Sequence, residues 1–228
     1  TLIFLMSIHV PVFADDVGEA AVEIISYDFD AVVHKDHTYT ISEKIKINVN
    51  GQLNEYRVSI LKGKYKVDEI KVRGSTFNVQ SNDYDYEVVI KSPKDLGRGE
   101  HTLNLAYTIR AYADNDKKSD LFYMNVLPTT FDTPIKNLNI RVLFPKDFVW
   151  NDMQSFAGQY GVQDVSNKIS VKTNRDEINL SGTNIPQNFG IILKASLPKN
   201  YWKEELNNSW MSKLTLGLSV IVALCLVV

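Results

Sequence analysis

The sequence contains a single cysteine, Cys225, in 228 residues. A disulfide framework is therefore excluded, as is any zinc or iron–sulfur site built on several cysteines. A basic excess is also missing, because 25 Lys and Arg residues stand against 27 Asp and Glu residues, for a net charge of −2. This balance disfavours a nucleic-acid-binding protein. With 44% hydrophobic residues, the chain can still fold around a core, in one large or two small β domains.

The motifs of several common enzyme classes are missing as well. There is no Gly-any-Ser-any-Gly nucleophile elbow and no Gly-rich phosphate loop. Nothing singles out a pair of Asp or Glu residues for glycoside hydrolysis, although sandwich folds can bring distant acids together. We therefore expect no catalytic residues, no cofactor-binding residues and no enzyme activity. A hydrolase acting on envelope glycan stays open as the alternative.

Two features could suggest a metal site, and neither has the required pattern. His34 and His37 are three residues apart, which places them on opposite faces of a strand, and His101 is far away in sequence. The acidic run 114–120 resembles the start of a calcium loop but puts Lys118 at the fifth ligand position. We interpret this run as a solvated hairpin loop and expect no metal ligands.

The N-terminal end is typical of a secretory signal. Residues 1–13 are apolar and uncharged apart from the neutral His9, and Ala14 is followed directly by Asp15 and Asp16. A small residue at the end of an apolar run is the usual cleavage site of a signal peptide. With no initiator Met and no basic region before it, we interpret residues 1–14 as the remnant of a signal peptide.

The C-terminal end predicts a membrane anchor. Residues 214–228 are uncharged and largely apolar, and a helix needs about 20 such residues to cross a bilayer. Trp202 and Trp210 precede the run, where aromatic rings commonly lie at the headgroup level, and Cys225 lies within it. We expect residues 201–228 to form a juxtamembrane segment and the start of one transmembrane helix, with residues 15–200 on the extracytoplasmic side of a bacterial cell membrane.

The region between the ends alternates with a period of two residues. In the segment 39–49, one face carries Tyr and aliphatic residues, with Glu43 as the exception on that face, and the other face is polar. This pattern is typical of a half-buried strand. Asn50 and Gly51 then give a strong turn signal.

Further strands are expected at 56–60, 65–72, 84–90, 101–111, 121–126, 135–144, 168–173, 177–181 and 189–195. Short strands at regular spacing predict an all-β antiparallel sandwich, immunoglobulin-like or jelly-roll-like. Helical bundles and parallel α/β sheets are excluded because no long 3.6-residue period precedes residue 200. The Pro-containing segment 127–134 leaves open whether the exported region is one sandwich domain or two.

Aromatic residues are frequent in the predicted strands, and they could form a platform for sugars. Tyr84 and Tyr86 alternate on one side of a strand, whereas Tyr107, Phe122 and Tyr123 lie elsewhere, as does Trp150. Half-buried strands are rich in such residues for packing reasons alone. We therefore favour core or cross-strand packing over a ligand platform.

Three segments resemble one known family: 38–49, 99–113 and, most closely, 120–148, with its Asp-Leu-Phe-Tyr-Met-Asn stretch, its Pro-Ile pair and its final Leu-Phe-Pro. The family is domain of unknown function 2207, a group of predicted bacterial membrane proteins. Met124 departs from the aromatic residue often found there. The resemblance implies a signal peptide, an extracytoplasmic N-terminal region, transmembrane helices and a cytoplasmic tail, and it implies no chemistry.

Together these observations predict a membrane-anchored extracytoplasmic β-sandwich that binds another envelope component or supports assembly of its own membrane protein. The expected partners are the membrane, through the C-terminal helix, and an envelope protein or glycan. A carbohydrate-binding module is the further alternative. No nucleic-acid partner is expected.

Overall fold

The structure, a computed structural model, describes residues 21–63, 65–91, 96–111, 117–149, 152–159 and 168–202. The described residues form thirteen β-strands and no helix. In chain order they are β1 (Ala21–Val33), β2 (Thr38–Asn50), β3 (Tyr56–Leu61), β4 (Tyr65–Arg73), β5 (Thr76–Ser81), β6 (Asp85–Lys91), β7 (Gly99–Ala111), β8 (Ser119–Leu127), β9 (Ile135–Leu143), β10 (Gln154–Gln159), β11 (Ile169–Asn174), β12 (Glu177–Ile185) and β13 (Phe189–Pro198). The predicted all-β class is confirmed.

Seven strands form one large sheet in the order β11-β12-β9-β1-β2-β7-β4. Its three longest strands, β1, β2 and β7, are neighbours and pair antiparallel. β9 lies on the other side of β1 and runs parallel to it, from Ile24 opposite Ile135 to Val32 opposite Leu143. Among the strand pairs described, only this one departs from the predicted antiparallel pairing. Chain from before and after the segment 127–134 therefore contributes to the same sheet.

Two three-stranded sheets, β10-β13-β8 and β3-β6-β5, complete the fold. Both share a single hydrophobic core with the large sheet. Phe122 of β8 meets Tyr39 of β2 edge to face, with ring centroids 5.8 Å apart, and Val58 and Ile60 of β3 are buried in the same core. One seven-stranded sheet with two three-stranded sheets differs from the two-sheet arrangement of immunoglobulin-like and jelly-roll-like sandwiches.

The alternation predicted for β2 is confirmed. Its core-facing residues are all buried, Glu43 included: Tyr39, Ile41, Glu43, Ile45, Ile47 and Val49. The predicted turn follows directly, and Gly51 has a φ of 138°, in the region that favours glycine.

The sequence does not predict β1, β5 and β10. β1 contains a bulge between Ile24 and Ser26, so the core-facing positions shift by one residue and the alternation is interrupted. Every residue of β5 is exposed, and β10 is half-buried at most. Neither strand has the single buried face that produces an alternating sequence.

Both predicted membrane-directed ends lie beyond the part of the chain described, including residues 1–14, Trp210 and the run 214–228. Among the described residues, no helix is long and apolar enough to span a membrane.

Candidate functional site

A groove of about 1010 Å³ opens beside β3. Its lining comes from β3 and the loop before it, from β6, from the start of β1 and from the segment 130–133. Four consecutive strand residues, Tyr56 to Ser59, take part. Because consecutive side chains of a strand point to opposite faces, the groove runs along one edge of β3 rather than over one of its faces.

This edge of β3 has no neighbouring strand among those described, because β3 is the terminal strand of its sheet. On its other side β3 pairs with β6, from Tyr56 opposite Ile90 to Leu61 opposite Asp85. A terminal strand leaves alternate N–H and C=O groups without partners in the sheet. The groove therefore offers main-chain hydrogen-bonding groups as well as side chains.

Arg57 joins two carboxylates of the groove. Its Nη1 lies 2.6 Å from Oε2 of Glu87, and its Nη2 donates a hydrogen bond to Glu55. Lys91 also approaches Glu55, at 3.7 Å. The hydrogen bond and the charge of Glu55, followed by the charge of Glu87, raise the pKa of Arg57. These groups are partly exposed, so water and salt screen their attraction.

Two further carboxylates of the groove have no cationic partner within the described part of the chain. Asp85 accepts hydrogen bonds from Ser59 and Asn82. Asp132 is exposed and accepts one from Thr133 Oγ1 at 3.1 Å. Burial and the charge of Asp132 raise the pKa of Tyr56. The groove is therefore lined by more negative than positive charge.

A second cluster surrounds Glu43, inside the core. The side chain of Glu43 extends from β2 and is buried, and it accepts a hydrogen bond from the Tyr107 hydroxyl of β7. The Tyr27 hydroxyl of β1 lies close enough to influence its pKa, but makes no hydrogen bond of good geometry to any described residue. Three adjacent strands thus place one carboxyl and two phenol groups together.

Burial governs the protonation of this cluster. It raises the pKa of Glu43 from 4.5 to about 7, and the hydrogen bond from Tyr107, together with the nearby Tyr27 hydroxyl, opposes part of that rise. Burial, followed by the charge of Glu43, raises the pKa of both tyrosines. The neighbouring cavity leaves only about 10 Å³ for the centre of a water molecule, about the minimum for one water. The cluster can hold a proton but has no room for a substrate.

A third cluster fixes the end of the described chain. Trp202 is 2% exposed and stacks on His37, with centroids 4.2 Å apart and an interplanar angle of 4°. Its Nε1 donates to the Leu121 carbonyl at 3.3 Å. The expectation that Trp202 anchors at the lipid headgroups is therefore wrong, because the indole is packed inside the domain.

Asp120 is the polar centre of this third cluster. It accepts hydrogen bonds from Lys199 Nζ at 2.9 Å and from the Trp202 backbone N–H at 3.1 Å. Partial burial works against its ionisation, but these hydrogen bonds and the charge of Lys199 outweigh it and lower the pKa of Asp120. Beside it, the Lys35 ammonium lies over the Tyr201 ring at 3.6 Å. The contacts hold residues 199–202 against β8 and the β1–β2 turn.

The histidines considered from the sequence lie apart. His34 Nε2 is 2.9 Å from Thr40 Oγ1, His37 packs against Trp202, and His101 Nε2 is 2.6 Å from the Gly97 carbonyl. Each therefore has its own local partner. Among the residues described, no group of three or more His, Cys, Asp or Glu could hold a metal ion.

The acidic run lies partly outside the described residues, which resume at Lys117. Its last member, Asp120, is buried in β8 and engaged with Lys199 and Trp202, so the interpretation as a solvated hairpin loop is wrong for this residue; β7 and β8 also belong to different sheets and form no hairpin. For the aromatic residues, the expectation of packing holds for Tyr107 and Phe122, which are buried. It is wrong for Tyr84, which is 81% exposed in the turn before β6.

Sequence reasoning missed the groove and only partly anticipated the buried cluster. Arg57, Glu55 and Glu87 read as ordinary solvent-facing strand or loop residues, and only the pairing of β3 with β6 brings them together. Glu43 could be recognised from the sequence, since it interrupts an otherwise apolar face of the predicted strand. Nothing in the sequence indicated which tyrosines would surround it.

Comparison with proteins of known structure gives weak likenesses. A two-domain M1 zinc metallopeptidase bound to L-tryptophan has a TM-score of 0.45 and 15% identity, with coverage of 78% of this chain and 43% of that chain. The M1 zinc metallopeptidase from Deinococcus radiodurans has a TM-score of 0.42 and 13% identity, covering 75% and 42%. Native leukotriene A4 hydrolase from Saccharomyces cerevisiae has a TM-score of 0.45 and 11% identity, covering 76% and 29%. The chain thus spans less than half the length of each, and these likenesses carry no conclusion about its activity.

Sequence comparison is more informative. No curated protein matches the chain. Residues 23–196, however, match the family described as predicted membrane protein (DUF2207), N-terminal domain. This span includes nearly all of the thirteen strands. The resemblance found from the three sequence segments is confirmed, and the chain belongs to the DUF2207 family of predicted membrane proteins.

Proposed function

We propose that the chain is a non-catalytic binding or assembly module of the bacterial cell envelope, anchored in the membrane with its β domain on the extracytoplasmic side. Membership of a predicted membrane protein family supports the membrane setting. The apolar runs at both ends support an exported domain followed by a transmembrane helix. The observation that carries the binding role is the groove beside β3, where charged side chains line an open sheet edge.

The position of the groove suits this role. β1 begins at Ala21, which lines the groove, and ends at Val33, beside the turn whose His37 stacks on Trp202. Thirteen strand residues span about 40 Å at roughly 3.3 Å each. The groove therefore lies at the end of the domain opposite Trp202, where the described chain leaves toward the predicted anchor. In the proposed topology it faces away from the membrane.

Site-specific photocross-linking in intact membranes tests the proposal. A photoreactive residue replaces Asn54, which lines the groove and is exposed, in the full chain. The matched control carries it at Ser155, an exposed residue of β10 outside the groove. We expect a discrete adduct with an envelope protein from position 54 and none from position 155. Adducts with glycan alone would favour the carbohydrate-binding alternative, and equal labelling from both positions would contradict a binding role for the groove.

A glycan hydrolase is the second candidate, because Glu55 and Glu87 contact the same guanidinium in an open groove. Glycosidases work with two neighbouring carboxyl groups. However, the general acid must present a proton to the substrate, whereas both carboxylates here accept hydrogen bonds from Arg57. Incubating the full chain and its Glu87→Gln variant with cell-wall glycan distinguishes a hydrolase from a non-catalytic binding module. New reducing ends that depend on Glu87 would establish the hydrolase.

A further inference from the structure

The open edge of β3 lies in the groove. Natural proteins usually cover an edge strand or protect it with charged residues that repel further strands. Charged side chains are present at the edge of β3 too, but they line a groove that also includes Val22 and Phe131. A strand adds to a sheet about 4.8 Å from its neighbour, and a groove of about 1010 Å³ has room for several extended residues.

The charges of the groove indicate what kind of strand it fits. Its lining contains four carboxylates, Glu55, Asp85, Glu87 and Asp132, and one guanidinium, Arg57. Asp85 and Asp132 have no cationic partner in the described part of the chain. An anionic segment would be repelled, whereas Lys or Arg side chains would find unpaired carboxylates beside the main-chain groups of β3.

We propose that this groove binds an extended, basic segment of a partner protein, which adds as a strand to the free edge of β3. This deepens the proposed function and rests on it. The side chains of the added strand alternate between two faces. Those on the core side lie level with Tyr56 and Val58, and those on the outer side lie level with Arg57 and Ser59. The partner segment therefore alternates apolar and basic residues.

The first test uses fluorescent synthetic peptides and the full chain in detergent. An eight-residue peptide that alternates Lys and Val is the probe, and fluorescence anisotropy measures its affinity. A peptide with Glu in place of Lys tests charge. Two further Lys-Val peptides test strand addition. One carries N-methyl groups on the backbone nitrogens of one edge, so that it cannot donate main-chain hydrogen bonds along that edge. The other carries the methyl groups on the opposite edge.

We expect the Lys-Val peptide to bind, more weakly as salt rises, and the Glu-Val peptide to show no binding. Loss of one main-chain hydrogen bond should weaken binding about fivefold. Methylation of the pairing edge should therefore weaken binding at least about tenfold, while methylation of the opposite edge should have little effect. Equal binding by both methylated peptides would overturn strand addition, and equal binding by the Glu-Val peptide would overturn the charge argument.

Protein variants locate the binding site. Asp132→Asn should lower the affinity for the Lys-Val peptide about twofold to fivefold, as expected for one exposed charge pair. Asp132→Lys should lower this affinity further. Asp152→Asn is the matched control, because Asp152 is exposed and outside the groove. If the Asp132 and Asp152 variants behave alike, the peptide binds elsewhere and the proposal fails.

This outcome is distinguishable from failure of the proposed function. Cross-linking from position 54 to an envelope component, combined with no peptide binding in any form, would retain a binding module and reject the basic strand. If position 54 gives no cross-link and no peptide binds, both the binding module and the basic strand are rejected.

Discussion

At the scale of single residues, the chain keeps one carboxyl group where a hydrophobic side chain would normally lie. Glu43 occupies the core face of β2 between Ile41 and Ile45. A buried charge is costly unless it is well paired. The Tyr107 hydroxyl satisfies one carboxyl oxygen, but phenols supply no positive charge. Glu43 therefore remains protonated in the folded domain over a pH range in which an exposed Glu is ionised.

This difference makes stability depend on pH. The pKa of Glu43 is about 7 in the folded chain, against 4.5 for an ordinary Glu, so the folded state binds the additional proton between these values. Stability then falls as pH rises from about 4.5 to 7. At 1.36 kcal/mol per pKa unit, the loss is about 3 kcal/mol.

Glu43→Gln should remove most of this fall, because an amide does not ionise. Denaturant unfolding of the full chain at pH 5 and pH 8 measures the effect. The control is Glu100→Gln, an exposed residue of β7 paired with Lys46. If the Glu43 variant loses stability between these pH values as steeply as the unmodified chain, the carboxyl is not the group responsible.

The stacked Trp202 gives a second prediction at this scale. Trp202→Ala removes the contact with His37 and the hydrogen bond to Leu121, and it leaves a cavity in the core. We expect a loss of about 3–5 kcal/mol in the free energy of unfolding. Tyr84→Ala is the control, since Tyr84 is 81% exposed, and it should change stability by less than about 0.5 kcal/mol. Similar losses for the two variants would show that Trp202 is not packed inside the domain.

At the scale of elements, β5 is a strand without the usual protection. It is the terminal strand of the sheet β3-β6-β5, and Phe77 and Val79 are exposed on it. No charged residue occurs from Ser75 to Asn82. Uncharged edge strands of high β-propensity tend to pair with other chains.

Val79→Lys should therefore reduce concentration-dependent association of the full chain in detergent, because Lys at an edge disfavours further pairing. Ser42→Lys is the matched control, with the same new side chain on an exposed position of β2, which has a neighbouring strand on both sides. Light scattering over a series of concentrations measures the effect. A reduction of the same size in both variants would point to added charge in general rather than to the β5 edge.

Elements also show how far the sequence specifies this fold. β2 was predictable because its core face and its polar face alternate along the whole strand, with Glu43 as the one polar residue on the core face, and because the turn after it contains Gly51. β1 was not predictable because its bulge after Ile24 breaks the same signal. The groove was not predictable either, since it depends on which edges remain unpaired. Pairing between distant strands is decided by packing across the whole core, and a local pattern does not encode it.

At the scale of the whole molecule, the two ends of the domain differ in structure. One end holds residues 199–202 through Asp120 and His37, and the other carries the groove beside β3. The close packing of Trp202 fixes where the chain leaves the domain. Only residues after Trp202 can then act as a tether between the domain and the predicted transmembrane run.

The proposed topology makes a direct prediction. In a Cys225→Ser background, Ser155→Cys places a single thiol on an exposed position of β10. A membrane-impermeant maleimide should label it in intact cells to the same extent as in permeabilised cells. The unmodified chain, whose Cys225 is predicted to lie in lipid, should remain unlabelled in both. Labelling of position 155 only after permeabilisation would place the domain in the cytoplasm.

The parallel pairing of β1 with β9 has a consequence for how the chain reaches this structure. Ile24 must find Ile135, far along the chain, before the central sheet is continuous. β1, β2 and β7 can assemble earlier as an antiparallel unit, but the other edge of β1 stays open until β9 has been synthesised. Folds dominated by such distant pairings form slowly. A chain interrupted before β9 would leave β1, one of its three longest strands, at an unprotected edge. Synthesis of the last third of the domain is therefore needed before the chain is protected from aggregation.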